Sequence, residues 1–436
     1  MKNGKIRYDV GEKVGLAEAF PLSLQHLFAM FGATVLVPFL FQVNPATSLL
    51  MNGVGTLIYL IVSRGRIPAY LGSSFAFISP VFAIMAIPSL GGYAAAQGGF
   101  IAFGVFFIVV SQIIRIAGTD WLDVIFPPAA MGAIVAIIGL ELAPVATDMA
   151  GLTGKLMEQL HIPYATAITV SMFTLACTIL GSILFRGFLA AIPVLIGVVS
   201  GYIFSLFMGI VDLDSIAKAP WFEIPTLYAP VFRMDAILMI MPAMMVVLAE
   251  HIGHLVVTGN IVEKDLIKDP GLDRSLLGDG ISNILSGLVG ATPNTTYGEN
   301  IGVMAITKVF SVWVIGGAAV IAILISFVGK FAALIRSIPS PVMGGVCILL
   351  FGVIAAAGIR MLIEKKVDYT KSRNLILTSV VLVSGISGAA VKFGTIELKG
   401  MALGTIVAVG ISVLFEIFTR LGIANDCEEC RPGDNV

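Results

Sequence analysis

Thr292-Pro293-Asn294-Thr295-Thr296-Tyr297-Gly298-Glu299-Asn300 is a run of nine polar or helix-breaking residues between two apolar stretches. Pro293 cannot continue a helix and Gly298 weakens one, so the run predicts interrupted backbone. The rest of the chain decides what that interruption means. Of its 436 residues, 58% are hydrophobic and only 12% charged, whereas a soluble domain carries about a quarter charged. Runs such as Ile101–Ile114 and Ala402–Phe415 suit a bilayer rather than a core strand. Non-helical backbone at membrane depth survives only where it is buried in protein or lines a cavity. The quoted run therefore predicts a polar site inside a membrane protein, with Glu299 in it; the competing reading is a plain extramembrane loop.

Cutting the sequence at charged, Pro-rich and Gly-rich breaks predicts an all-α integral membrane protein of fourteen spans. The first seven lie near 19–41, 45–62, 67–88, 97–117, 124–146, 164–185 and 187–210. The second seven lie near 234–258, 272–290, 292–309, 311–334, 341–358, 374–392 and 400–421. With the N-terminus inside, all but seven of the 26 Lys and Arg fall on the cytoplasmic face. The seven are Lys155, Lys218, Arg233, Lys330, Arg336, Lys392 and Lys399. That bias predicts an even count and cytoplasmic termini. The basic N-terminus lacks an early apolar stretch before a small-residue site, so it does not read as a cleaved signal peptide.

A net charge of −1 without a basic patch argues against nucleic-acid partners. No nucleophile–base constellation or paired metal ligands stand in the spans, which argues against an enzyme or a metal site. Cys177 and Cys347 read as packing residues; Cys427 and Cys430 form one C-x-x-C in a polar tail, half of a zinc site at best.

Two matches suggest an internal repeat. Phe126-Pro127-Pro128-Ala129-Ala130-Met131-Gly132 resembles Ile338-Pro339-Ser340-Pro341-Val342-Met343-Gly344, and Gln25-His26 resembles Glu250-His251. Both matches lie seven spans apart, so the halves have opposite topology. On the same spacing, the broken span at Gly72-Ser73-Ser74-Phe75 corresponds to the one at Tyr297–Glu299. Two broken spans at matching positions point to a transporter's binding site.

Charges within spans are costly unless paired or wet, so they carry the functional reading. Glu250 and His254 are four residues apart and share a helix face, where a carboxylate and an imidazole can exchange a proton. The bland alternative is a packing ion pair. His26 is the remaining titratable group at depth and reads first as a structural histidine; Glu141 and His161 read as interfacial. Phe75 and Phe77 can stack on a flat ligand or simply pack.

Glu299-Asn300-Ile301-Gly302-Val303-Met304-Ala305-Ile306-Thr307-Lys308 resembles the motif of the nucleobase–ascorbate transporters, the nucleobase:cation symporter-2 family. Gln25-His26 and Ser73-Ser74-Phe75 fit the same pattern, and the likeness runs from about Pro21 to Arg420, nearest to the family's bacterial uracil-transporting branch. The resemblance implies two inverted seven-helix repeats with short strands interrupting spans 3 and 10. It implies a core domain (19–118 and 234–337) and a gate domain (119–233 and 338–421). These lie between a cytoplasmic N-terminus (1–18) and a cytoplasmic tail (422–436). It further implies that Glu250 and Glu299 bond the base, with the backbone of Phe75 and Gly298 contributing and Tyr297 adjacent. Proton coupling would pass through His254 and Glu250, with His26 a further candidate.

The expectation is a plasma-membrane symporter that imports uracil with protons by alternating access, often as a homodimer joined through the gate. Purine-carrying relatives commonly have Gln at the position of Glu299, so Glu there favours a pyrimidine; a xanthine-type symporter is the alternative. An anion exchanger of the same architecture is less favoured, because the site is acidic and has no basic residue beside it.

Overall fold

The apolar runs are punctuated by local chemistry. The computed structural model describes residues 6–423 except 154, 188 and 395; Cys427 and Cys430 lie outside the described residues. Asn44 caps a helix by accepting from the Ala46 N–H at 3.0 Å, with Pro45 in the first turn. Gly290, at φ 85°, closes another in the left-handed conformation that lacks a Cβ penalty.

The first half carries α1 Leu16–Ala29, α2 Phe31–Phe41, α3 Pro45–Val62, α4 Ile78–Met85, α5 Gly92–Ala117, α6 Asp120–Ile125, α7 Pro128–Glu141, α8 Ala143–Met149, α9 Lys155–Gln159, α10 Tyr164–Leu184, α11 Pro193–Phe207 and α12 Leu213–Lys218. The second carries α13 Met234–Val262, α14 Leu272–Val289, α15 Gly298–Thr307, α16 Val312–Ser326, α17 Gly329–Arg336, α18 Ser340–Glu364, α19 Ser372–Ile386 and α20 Gly400–Arg420. Two short antiparallel pairs complete the fold: β1 Leu71–Ser73 with β2 Asn294–Thr296, and β3 Ala390–Phe393 with β4 Ile396–Lys399.

Among the described residues, seven helical segments are long and apolar enough to cross a membrane, and α1 with α2, bent by 40°, form an eighth if taken as one span. The chain is thus a mostly helical, multi-pass membrane protein. The stretches read as spans near 187–210 and 374–392 hold shorter apolar helices, α11 and α19. Those near 67–88 and 292–309 are each divided between a strand and a helix.

Packing gathers the helices into two groups. In one, α5 packs on α13 and α14, α3 on α14 and α16, and α1 on α16. In the other, α7 packs on α18, α19 and α20, and α10 on α11 and α18. The groups meet where α13 touches α7 and α20, and where α11 touches α1 and α2. One crossing in the first group is backbone against backbone. A Cβ on Gly104 of α5 would stand 2.5 Å from the Gly280 carbonyl oxygen of α14, and one on Gly280 would stand 2.8 Å from that of Gly104. Small residues give helices in lipid this approach, because dispersion and not water drives their association.

Candidate functional site

The two interrupted spans meet. β1 and β2 pair antiparallel with Leu71 opposite Thr296, Gly72 opposite Thr295 and Ser73 opposite Asn294. The pairing answers a physical demand, since backbone groups at this depth have no water to bond. It is extended by Ser74 N–H to Pro293 C=O at 2.8 Å and Tyr297 N–H to Tyr70 C=O at 3.0 Å. Asn283 of α14 locks the ribbon from behind. Its Oδ1 accepts from the Asn294 N–H at 2.7 Å and its Nδ2 donates to the Asn294 C=O at 3.1 Å.

A helical turn follows each strand: the 3-10 turn Phe75–Phe77 leading into α4, and α15 from Gly298. Antiparallel pairing sets these two helix N-termini at opposite ends of a ribbon about 10 Å long. First-turn N–H groups have no partner within their own helix and carry a partial positive charge, so both ends present donors. The long helix α13 packs beside β2, α15 and the Phe75 turn, and brings Glu250 and His254 to the same place.

Around this point the ribbon residues are fully buried, yet Gly298 is exposed and Phe75, Glu250, His254 and Glu299 are partly so. These polar groups stay reachable among buried neighbours. Glu250 and Glu299 are near enough to interact electrostatically. A Cβ on Gly298 would lie 3.3 Å from His254 Nε2, so this backbone passes closely over the imidazole. Phe75 meets Phe351 of α18 edge-on at 6.0 Å, which brings the second helix group beside the Phe75 turn.

The remaining sequence candidates have definite partners. Tyr297 is 4% exposed; its hydroxyl donates to the Ser73 C=O at 3.0 Å, and its ring lies over Gly72, where a Cβ would come within 2.3 Å. It clamps the ribbon across the strands. His26 is buried, with Nδ1 3.1 Å from Asn300 Nδ2, which also donates to the His26 C=O. His26 thereby ties α1 to α15 directly behind Glu299. His254 Nδ1 bonds Thr296 Oγ1 at 3.1 Å, and no hydrogen bond joins it to Glu250 among the described residues. The two share a face as expected, but the imidazole is held by the ribbon.

A buried carboxylate–imidazole pair does exist, between His251, the residue after Glu250 on α13, and Asp279 of α14. His251 Nδ1 lies 3.0 Å from Asp279 Oδ2, and both side chains are fully buried. His251 Nε2 meets Ser275 Oγ at 2.7 Å, which in turn meets the Tyr59 hydroxyl at 2.6 Å. Sequence reasoning passed over Asp279, although the rule that singled out Glu250 covers it: it is an acidic residue inside a predicted span. Glu141, read as interfacial, also does more. Its carboxylate accepts from Ser79 of α4 at 2.5 Å and from the Met401 N–H of α20 at 2.8 Å, joining the two helix groups. Among the described residues no cluster of His, Cys, Asp and Glu is arranged to hold a metal.

A profile described as the permease family matches residues 17–394. The chain is 63% identical over 412 residues to the uracil permease of Escherichia coli strain K12, covering 94% of each chain. It is 56% identical over 426 residues to that of Paenibacillus larvae, covering 98% of this chain and all of that one.

The chain belongs to the permease family.

This permease is therefore a transporter and not an enzyme. Among solved structures it is similar to the transmembrane domain of the cyanobacterial bicarbonate transporter BicA, with a TM-score of 0.61 at 16% identity over 92% of this chain and all of that one. It is also similar to the murine Slc26a9 anion transporter in the inward-facing state, with a TM-score of 0.69 at 12% identity over 94% of this chain and 70% of that one. At such identities the likeness concerns the fold alone.

Proposed function

We propose that this permease imports uracil together with protons, by alternating access at the ribbon between β1 and β2. The observation that carries the reading is the pair Glu250 and Glu299, two acidic side chains beside exposed backbone at Gly298 in otherwise buried surroundings. A pyrimidine offers ring N–H donors to carboxylates and carbonyl acceptors to the free N–H groups at the helix starts near Phe75 and Gly298. Phe75 supplies an apolar edge. The high identity to the uracil permeases supports uracil as the base.

Two like charges beside one ligand cost energy unless a proton is shared, which is the physical basis for coupling. Glu250 is the proposed proton carrier, with His254, on the same face of α13, and His26, bonded to Asn300 beside Glu299, as further candidates. Protonation removes a charge that must otherwise be carried past the barrier.

The architecture we propose has fourteen spans in two inverted repeats. Its support is a pattern of matched contacts: α3 with α16 mirrors α14 with α5, α1 with α16 mirrors α13 with α5, and α10 with α11 mirrors α19 with α20. In each case the second pair lies seven predicted spans from the first. The two packed groups correspond to the core (19–118, 234–337) and the gate (119–233, 338–421), moving against each other in a plasma membrane with both termini cytoplasmic. A homodimer joined through the gate is part of the same reading.

Uptake of labelled uracil into proteoliposomes under an imposed pH gradient tests this. We expect accumulation that collapses with the gradient, and loss of binding by at least about tenfold, ~1.4 kcal/mol, in Glu250→Gln and Glu299→Ala. Unchanged affinity in both variants would refute the site. A second reading, anion exchange, draws on the fold neighbours, whose names are those of bicarbonate and anion transporters. The acidic site argues against it, and failure of chloride, sulfate and bicarbonate to compete with uracil would dismiss it.

A further inference from the structure

A cavity of about 430 Å³ opens between α1, α2 and α17 of one helix group and α11 of the other. That volume lies within the ~300–1,000 Å³ of ordinary ligand sites. Its lining is hydrocarbon except for two hydroxyls, and both are engaged. Thr34 Oγ1 bonds Met30 Sδ at 2.8 Å, and the Tyr202 hydroxyl bonds Ser337 at 2.9 Å. A cavity of this kind stays dry, so its occupant is apolar. The rim residues Val199, Ile203, Leu206 and Leu334 are exposed apolar side chains, which is how a surface that faces lipid looks. The slot thus opens sideways into the bilayer.

One end of the slot changes character. A second cavity of about 330 Å³ shares the walls Pro45 and Ile335 and is lined by Gln42, Asn44, Thr226, Tyr228 and Arg336. Asn44 is spent on Ala46 and Thr226. Gln42 and Arg336 are exposed, and among the described residues neither side chain has a hydrogen bond or ion pair. An unpaired guanidinium beside an amide is a donor set for a phosphate diester. The neighbouring segment carries Trp221 with Lys330 5.4 Å over its ring, the amphipathic aromatic arrangement of a membrane interface. Apolar slot and cationic pocket are therefore stacked in the order of a lipid's tail and headgroup.

We infer that this seam is a binding site for an anionic phospholipid, with one acyl chain in the slot and the phosphate on Arg336 and Gln42. The chain would wedge between α11 and the α1–α2 bend, where the two helix groups touch. The site is separate from the ribbon, and its test does not depend on the transported substrate.

Purified protein in detergent is titrated with phosphatidylglycerol and phosphatidylcholine spin-labelled on the acyl chain, and the motion-restricted fraction is read. We expect phosphatidylglycerol to bind about fivefold more tightly, the effect of one cationic side chain near the headgroup. Arg336→Ala should abolish that preference while leaving chain immobilisation. Val198→Trp, which fills the slot, should abolish immobilisation of both lipids; should that buried change prevent folding, Val199→Trp at the exposed rim carries the same expectation. Inorganic phosphate should not displace either lipid. Unchanged preference in Arg336→Ala, unchanged immobilisation in a folded slot variant, or displacement by phosphate alone would each overturn the inference.

Discussion

At the residue scale, the decisive features are a missing side chain and a displaced pair. Gly298 is short because His254 lies beneath it, so Gly298→Ala should weaken uracil binding by about tenfold through pressure on that imidazole, ~1.4 kcal/mol. Gly302→Ala, which meets nothing within 4 Å, is the matched control; equal binding by the two variants in an equilibrium assay would count against the close approach. His251–Asp279 is fully buried, and removing one partner strands the other. Asp279→Ala should cost about 3–5 kcal/mol, seen as a large fall in melting temperature in detergent. Sequence reading found Glu250 and Glu299 because charges in spans are conspicuous. The family resemblance set Tyr297 beside the ligand; in the fold its hydroxyl donates to the Ser73 C=O.

At the element scale, the strand pair and the glycine crossing hold the first helix group together. Gly280→Leu would drive a side chain into the α5 backbone, and a fall in folded yield by size-exclusion chromatography is expected. The N-terminal segment is a second device. Tyr8 bridges Val309, the Val312 N–H donates to the Val10 C=O at 2.9 Å, and Lys264 holds Asp9 at 2.8 Å. The Lys264 ammonium, followed by the Val10 N–H, holds the Asp9 carboxyl below its ordinary 3.8. A depressed carboxylate contributes stability above its ordinary value and loses it as pH falls through the depressed one. Protease sensitivity of the segment should therefore rise below about pH 4, and Asp9→Asn should be equally sensitive above and below that pH. Little of this was legible in the sequence, because the contacts join residues some 300 positions apart and no periodicity records them.

At the scale of the whole molecule, Glu141 stitches the seam between the helix groups, through Ser79 on one side and the Met401 N–H on the other. Glu141→Ala removes the stitch without touching Glu250 or Glu299. The expected outcome is an altered transport rate with uracil affinity preserved to within about twofold, compared by uptake kinetics and equilibrium binding. A change confined to affinity would refute the role. The slot proposed for a lipid lies along the same boundary.

By itself, the sequence determined the solvent, the sites of interruption and the acidic character of the centre. Each follows from local facts: the length of apolar runs, Pro293 and Gly298 as breakers, and charge at depth. Only the tertiary structure decided which groups are free. Pairing of β1 with β2 consumed Tyr297, Thr296 took His254, and Asp279 took His251, because buried polar groups bond whatever neighbour the packing brings. Glu250, Glu299 and the Gly298 backbone kept some of their surface exposed.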